Sequence, residues 1–373
     1  MIVTLPRAAV AVMALVAGYV FLVAPRIAHA PDEVDGQPVT VVLPPSPSPG
    51  GPPLVFPRPG TAFFGAFTQA GAADFTDLDQ FVTAAQHPPQ VMMFGQGWAV
   101  NRFDRRPFDA IVNRGMLPIL GWEPWDYRKE PKKEELRGVQ PKYQLDKITR
   151  GDFDAYIKTW ARGVQRLGYP IGIRFAHEMN GNWYPWAEQV NGNHPGDYVR
   201  AWRHVHDLFR AAGATNVIWI WSPNITFPGA LPMSPLYPGD DYVDWVGLSG
   251  YYGTQGMEHY RTFGDIYQLT FTELHTFTHK PIVITEVAAT DAEGRKAEWI
   301  RDFLTSLPDY PFVIGFIWYE GVKETDWRIT TSAEVSAAFA QGVGQPYFDV
   351  SWSPYATTLH EAGATTGPTP TVS

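Results

Sequence analysis

Residues Ile171 to Trp186, IGIRFAHEMNGNWYPW, set a carboxylate beside three large aromatic side chains. The apolar run Ile171–Ala176 reads as a buried strand. Side chains alternate along a strand, so Gly172, Arg174, Ala176 and Glu178 should share one face. If that face looks into a barrel, Glu178 stands at its rim, and Trp183, Tyr184 and Trp186 follow on a loop. Indole and phenol rings stack on the apolar faces of pyranose units while a carboxyl group handles a proton, which points to sugar chemistry. His177 and Glu178 also begin a zinc pattern, but Gly181 and Asn182 stand where its second His is needed, so neither a metal nor a cofactor is expected.

Such a rim needs elements to hold it. Eight strand-like runs follow one another: Ala62–Phe67, Val91–Gly95, Leu117–Trp122, Ile171–Ala176, Val217–Trp221, Val243–Leu248, Pro281–Thr285 and Phe312–Trp318. Helix-like segments lie between them. Asp152 is placed to cap a helix whose Phe153, Tyr156, Ile157, Trp160, Val164 and Leu167 form one stripe. A second helix is expected over 197–212, with Val199, Trp202, Val205 and Phe209 inward, and a third over 293–307. This alternation predicts an α/β fold, a single (β/α)8 barrel over residues 61–350. An open doubly wound sheet lacks the Gly-rich phosphate loop that would support it.

Active sites of such barrels lie at the C-terminal strand ends. Those ends carry Gln96 and Trp98, then Trp122, Glu123, Trp125 and Asp126, then His177 and Glu178. They continue with Trp219, Trp221 and Asn224, with Ser249, Tyr251 and Tyr252, with Glu286, and with Trp318 and Glu320. Glu178 and Glu286 come from strands four and seven, which face each other across the mouth. A retaining glycosidase needs two carboxyls about 5–5.5 Å apart. One must stay protonated and one ionised. Arg174, on the inward face below Glu178, would favour the charged form of a neighbouring carboxylate. That neighbour is assigned as Glu286, with a hydrogen bond from Tyr251. Trp318 is expected as the floor under the reacting sugar. Trp183, Trp186, Trp122 and Trp98 are candidate platforms, and His177 and Asn180 candidate substrate contacts. Glu123, Asp126 and Glu320 are read as substrate contacts or loop ion pairs.

The run from Arg174 through His177-Glu178-Met179-Asn180 to Trp183 and Trp186 resembles glycoside hydrolase family 26, best known for endo-β-1,4-mannanases. So do 242–247 (YVDWVG) with Gly250-Tyr251, Ile284-Thr285-Glu286, and Asp326-Trp327-Arg328. The resemblance covers about residues 61–345. It implies a (β/α)8 fold and a retaining mechanism, with Glu178 the acid/base and Glu286 the nucleophile. Tyr252 and Gly253 stand where relatives often carry an Asn-Trp pair, and Ser249 where an Asp is common; both departures touch the substrate face. The expectation is an exported endo-β-glycan hydrolase, a β-mannanase first, with β-1,3-1,4-glucanase or β-1,3-xylanase as rivals. A carbohydrate-binding barrel without catalysis is disfavoured, because a lectin has no use for the carboxyl pair.

The remaining chain bounds this reading. There are 373 residues, a net charge of −9 and no cysteine. Disulfides and thiol chemistry are excluded, and no basic nucleic-acid footprint is present. A monomer acting on a β-linked polysaccharide or oligosaccharide is expected. Arg7, the apolar run 8–24 and Ala28-His29-Ala30 read as an export signal in residues 1–30. Pro31 hinders cleavage after Ala30 and the run is long, so retention as a membrane tether is the favoured reading. The enzyme would then work at the outer face of the cell membrane, or free once cleaved, and the cell's own envelope polysaccharide enters as a substrate. Residues 31–60 form a Pro/Ser/Gly-rich linker. Residues 351–373 form a tail, low in complexity from about 361.

Overall fold

The computed structural model describes Val41 and residues 55–358, except 100–101, 130–132, 134–135 and 255–258. The expected signal or anchor, most of the linker, and the tail beyond 358 lie outside the described residues. Among the described residues no helix is long and apolar enough to cross a membrane.

Eight parallel strands close into a barrel in chain order: β1 (Phe63–Thr68), β2 (Val91–Gly97), β3 (Leu117–Glu123), β4 (Ile171–Phe175), β5 (Val217–Trp221), β6 (Trp245–Ser249), β7 (Ile282–Val287) and β8 (Val313–Glu320). All eight expected runs are strands, with no end displaced by more than two residues. They are nearly continuous apolar stretches because a barrel strand is covered on both faces. The outer layer holds α1 (Thr76–Ala85), α2 (Arg106–Val112), α3 (Leu145–Thr149), α4 (Asp154–Gln165), α5 (Asp197–Ala211), α6 (Phe263–Leu274), α7 (Lys296–Ser306) and α8 (Ala333–Val343). The connection from β5 to β6 carries only 3-10 turns. Its prolines, at 223, 228, 232, 235 and 238, remove the donors a helix would need.

The striped helices bury the faces their spacing predicts: Ile157, Trp160 and Val164 on α4, and Trp202, Val205 and Phe209 on α5. Asp152 does not cap α4. Its carboxylate pairs with Arg150 at 2.8 Å, and the N-cap position is Phe153, without a side-chain bond. The third helix starts at Lys296 rather than 293, because Glu293 adopts a left-handed φ of 59°. At the base of the barrel Phe63 packs against Phe56 and Trp245, with centroids 5.3 and 5.8 Å away. Val55–Phe56 pairs with Thr357–Thr358, so the folded body extends past the expected limits of 61 and 350.

Candidate active site

Strand alternation carries Arg174 into the barrel, and local backbone geometry does the rest. β4 ends at Phe175, and Ala176 and Glu178 then take left-handed φ values of 46° and 54°. The face-sharing expected from Gly172 to Glu178 therefore stops at Arg174. Glu178 is aimed by two backbone reversals, and its amide donates to Ser222 O at 2.7 Å. Non-glycine residues in this region are sparse and cluster at functional sites, because the surroundings must hold them there. On β7 the ladder to β8 slips between Ile284 and Val287. Two successive side chains, Thr285 and Glu286, accordingly both reach the Arg174 network. A strand irregularity re-aims Glu286, where simple alternation would put it on the face of Ile282 and Ile284.

The Arg174 guanidinium, fully buried, is the hub. Its Nε donates to Ser222 Oγ at 2.8 Å, its Nη2 to Ser249 Oγ at 2.7 Å, and its Nη1 to Glu286 Oε1. Ser222 is held in turn by Thr285 at 2.9 Å. Tyr251 Oη donates to Glu286 Oε2 at 2.7 Å. Two donors thus converge on one carboxylate, an arrangement suited to its ionised form.

Glu178 is set differently. Trp183 Nε1 donates to its Oε2 at 2.9 Å, and Ser249 also bonds it. Burial, followed by the charge of Glu286, raises its pKa against the opposing pull of Arg174. Ser249 joins the two carboxyls, since it bonds both Glu178 and the arginine that holds Glu286. Gly181 makes the Trp183 contact possible, because a Cβ there would lie 2.4 Å from the indole ring.

Glu123 is a second carboxyl lining the cavity beside Glu286, and its weight exceeds the contact or ion-pair role expected of it. It lines the cavity with Arg174, His177, Tyr184, Glu286 and Tyr319. Burial pushes its pKa up to about 8, and Trp125 Nε1 donates to it at 2.7 Å. His177 is held neutral, its pKa driven well down by burial. Its Nε2 meets Tyr184 Oη at 3.1 Å. Its Nδ1 is buried without a hydrogen bond, 3.9 Å from Glu123 Oε1, and so is available to a sugar hydroxyl.

Several expected contacts lie elsewhere. Trp98 and Trp122 face the helix layer, 5.0 Å apart, packed on Phe153, Tyr156 and Trp160. Trp318 also points outward, 5.3 Å from Phe339 of α8, with its Nε1 on Trp327 O at 3.1 Å. It is no floor; the next residue, Tyr319, lines the cavity instead. Trp186 is fully buried, stacks on Tyr184 at 4.3 Å and donates to His177 O at 2.6 Å, bracing the histidine from behind. Asn180 spends both ends of its amide on the backbone of Asn224, at 2.9 Å each, and staples two loops. Asp126 pairs with Arg128 at 2.9 Å, and Glu320 accepts from Ile329 N at 3.0 Å. Tyr252 stacks on Trp299 at 5.5 Å, away from the cavity. Ser222 and Tyr319 join the site although neither was expected there, and Tyr184 lines the cavity with the histidine. Among the described residues no group of three or more His, Asp or Glu could hold a metal ion.

The family model of Glycosyl hydrolase family 26 matches residues 139–341. Endoglucanase H of Acetivibrio thermocellus is 36% identical over 257 residues, covering 66% of this chain and 26% of its own. Mannan endo-1,4-beta-mannosidase of Bacillus subtilis is 28% identical over 208 residues, covering 54% and 50%. The chain thus spans a quarter to a half of the length of these relatives. Among solved structures, a GH26 beta-mannanase from Bacteroides ovatus matches with a TM-score of 0.57 at 18% identity, covering 80% of this chain and 93% of that one. At that identity the likeness is one of fold.

Proposed function

This chain belongs to glycosyl hydrolase family 26, and from that premise we propose that it is a retaining endo-β-glycan hydrolase with Glu286 as nucleophile and Glu178 as acid/base. The observation that carries the assignment is the asymmetry of the pair. Glu286 receives Arg174 and Tyr251, while Glu178 is buried with a raised pKa beside an indole donor. In the first step Glu286 attacks the anomeric carbon while Glu178 protonates the departing oxygen. In the second, Glu178 takes a proton from a water whose oxygen bonds to the anomeric carbon as its bond to Glu286 breaks, which releases the sugar. Neutral His177 and protonated Glu123 are placed to bind hydroxyls of the sugar in the cavity.

β-1,4-Mannan or glucomannan is the first polymer, from the strand-four motif. A β-glucan is the second reading, favoured by the higher identity to Endoglucanase H than to the mannosidase. Export, with the N-terminal segment as signal or tether, rests on Arg7 and the apolar run 8–24.

Reducing-end release from mannan, mixed-linkage glucan and β-1,3-xylan ranks the polymers. Glu286→Ala should abolish turnover on all of them. Glu178→Ala should spare the first step for a substrate whose leaving group needs no proton, giving a burst and then slow turnover. NMR of the first product should show the anomer of the substrate. An inverted anomer, or carboxyls about 6.5–9.5 Å apart in a ligand complex, would refute the nucleophile assignment.

A further inference from the structure

The turn after β8, Gly321 to Asp326, places a lysine where the reaction above has no use for one. Val322 bridges to Asp326, Lys323 N donates to Thr325 O at 3.0 Å, and Gln69 Nε2 holds Val322 O at 3.0 Å. The turn is seated on the site: Trp327 packs 5.1 Å from Tyr251, which bonds Glu286. Within it the Lys323 side chain is 2% exposed and its Nζ makes no hydrogen bond. Among the described residues its ion-pair partner is Glu324, at 3.3 Å and 25% exposed. Glu324 has a second donor in Trp327 Nε1 at 3.2 Å, so it can release the ammonium without being stranded. The Lys323 ammonium also feels the carboxyls of Glu286 and Glu178 and acts on the His177 ring.

A buried cation here is costly for a neutral substrate. Its desolvation is offset by the rim carboxylate of Glu324 and by the carboxyls of Glu286 and Glu178, which the reaction needs for the sugar. The transition state of glycoside cleavage adds positive charge at the sugar, and Arg174 already supplies a cation beneath it. A second ammonium disfavours that charge unless the substrate brings an anion of its own. An ammonium that meets one carboxylate, at 3.3 Å, has N–H donors left for a second.

We propose that Lys323 is a specificity residue that receives a carboxylate carried by the glycan beside the scissile bond, displacing Glu324, so that the site takes a β-linked glycan bearing uronic acid units. The net charge of −9 does not oppose this, because repulsion from distant surface charges is screened within about 8 Å at physiological salt. The proposal rests on the hydrolase reading and narrows its substrate.

The test uses one polymer in two forms: a β-1,4-linked glucan containing glucuronic acid units, and the same polymer after reduction of its carboxyls to alcohols. The full chain should show kcat/KM about tenfold higher on the acidic form, the usual worth of one charge-assisted hydrogen bond. Lys323→Met should bring that ratio to about one, Lys323→Arg should keep most of it, and added salt should lower it in the wild-type protein. The ratio is read within each variant, so a loss of folded protein cancels. A wild-type ratio at or below one, or a ratio that Lys323→Met leaves intact, overturns the assignment of Lys323 alone. Failure to cleave either form or any neutral β-glycan overturns the hydrolase reading as well.

Discussion

Arg174→Met should destabilise the fold, and the contacts of the guanidinium say by how much. Methionine roughly fills the volume of the arginine stem, so the change removes charge rather than packing. Ser222 keeps Thr285, and Ser249 keeps Glu178, so neither hydroxyl is orphaned. The loss falls on Glu286, left charged in a site where its side chain is 12% exposed. Removing one partner of a buried pair costs about 3–5 kcal/mol, and the residual exposure of Glu286 places it near the lower end. With an unfolding entropy of about 2.1 cal/mol/K per residue over roughly 300 folded residues, about 3 kcal/mol lowers Tm by about 5 °C. Calorimetry at pH 7 reads this directly. Adding Glu286→Gln to the methionine variant should recover most of the loss, because the stranded charge is gone. A drop below about 2 °C, or a double variant no more stable than Arg174→Met, would show that the pair is not the hub described.

Other outcomes follow from the same geometry. Glu123 has its pKa raised to about 8, so between its ordinary 4.5 and about 8 the folded protein holds a proton that the unfolded chain has released. That favours the fold at low pH and is lost as pH rises through this window, on the order of a few kcal/mol. Tm should fall from pH 5 to 8, and Glu123→Gln should flatten the decline; an unchanged slope refutes the buried titration. Trp183→Phe removes a donor that lowers the Glu178 pKa, so the alkaline limb of kcat/KM should move to higher pH; a limb moving to lower pH would show that Glu178 is not the acid. Trp98→Ala and Trp318→Ala should each destabilise by about 3–5 kcal/mol while leaving KM nearly unchanged, since both rings pack under helices. A selective rise in KM would return them to the substrate face.

The barrel was legible because its strands are apolar runs of the right length between helical stripes. The same property hid the faces. A strand covered on both sides offers no polar alternation, so nothing in 313–320 tells Trp318 from Tyr319, and the aromatic strand ends looked like one rim. Most pack outward; Tyr251 stays. Glu178 and Glu286 were found as strand-end carboxylates in a recognisable motif, although strand parity places neither of them. Left-handed residues deliver one and a register slip the other, and neither is written in residue type: Ala176 is no glycine. Asn180 sits inside the motif and still serves as a staple, because an amide is equally good at binding sugar and backbone. The depth of Glu123 depends on Trp125 and His177 closing over it, which only the assembled loops decide.

The two left-handed residues after β4 bear on how this protein can be improved. Each departs from comfortable backbone geometry by on the order of 1–3 kcal/mol, and glycine would relieve both. A library sorted for heat tolerance alone would therefore gain by putting glycine at 178 and would lose the proposed acid in the same step. Ala176 offers the harmless version of the gain, because its side chain does no chemistry. Selection that ties survival to sugar release would keep the strain at Glu178 and shed it at Ala176. The difference between those two outcomes is a record of which selection was applied.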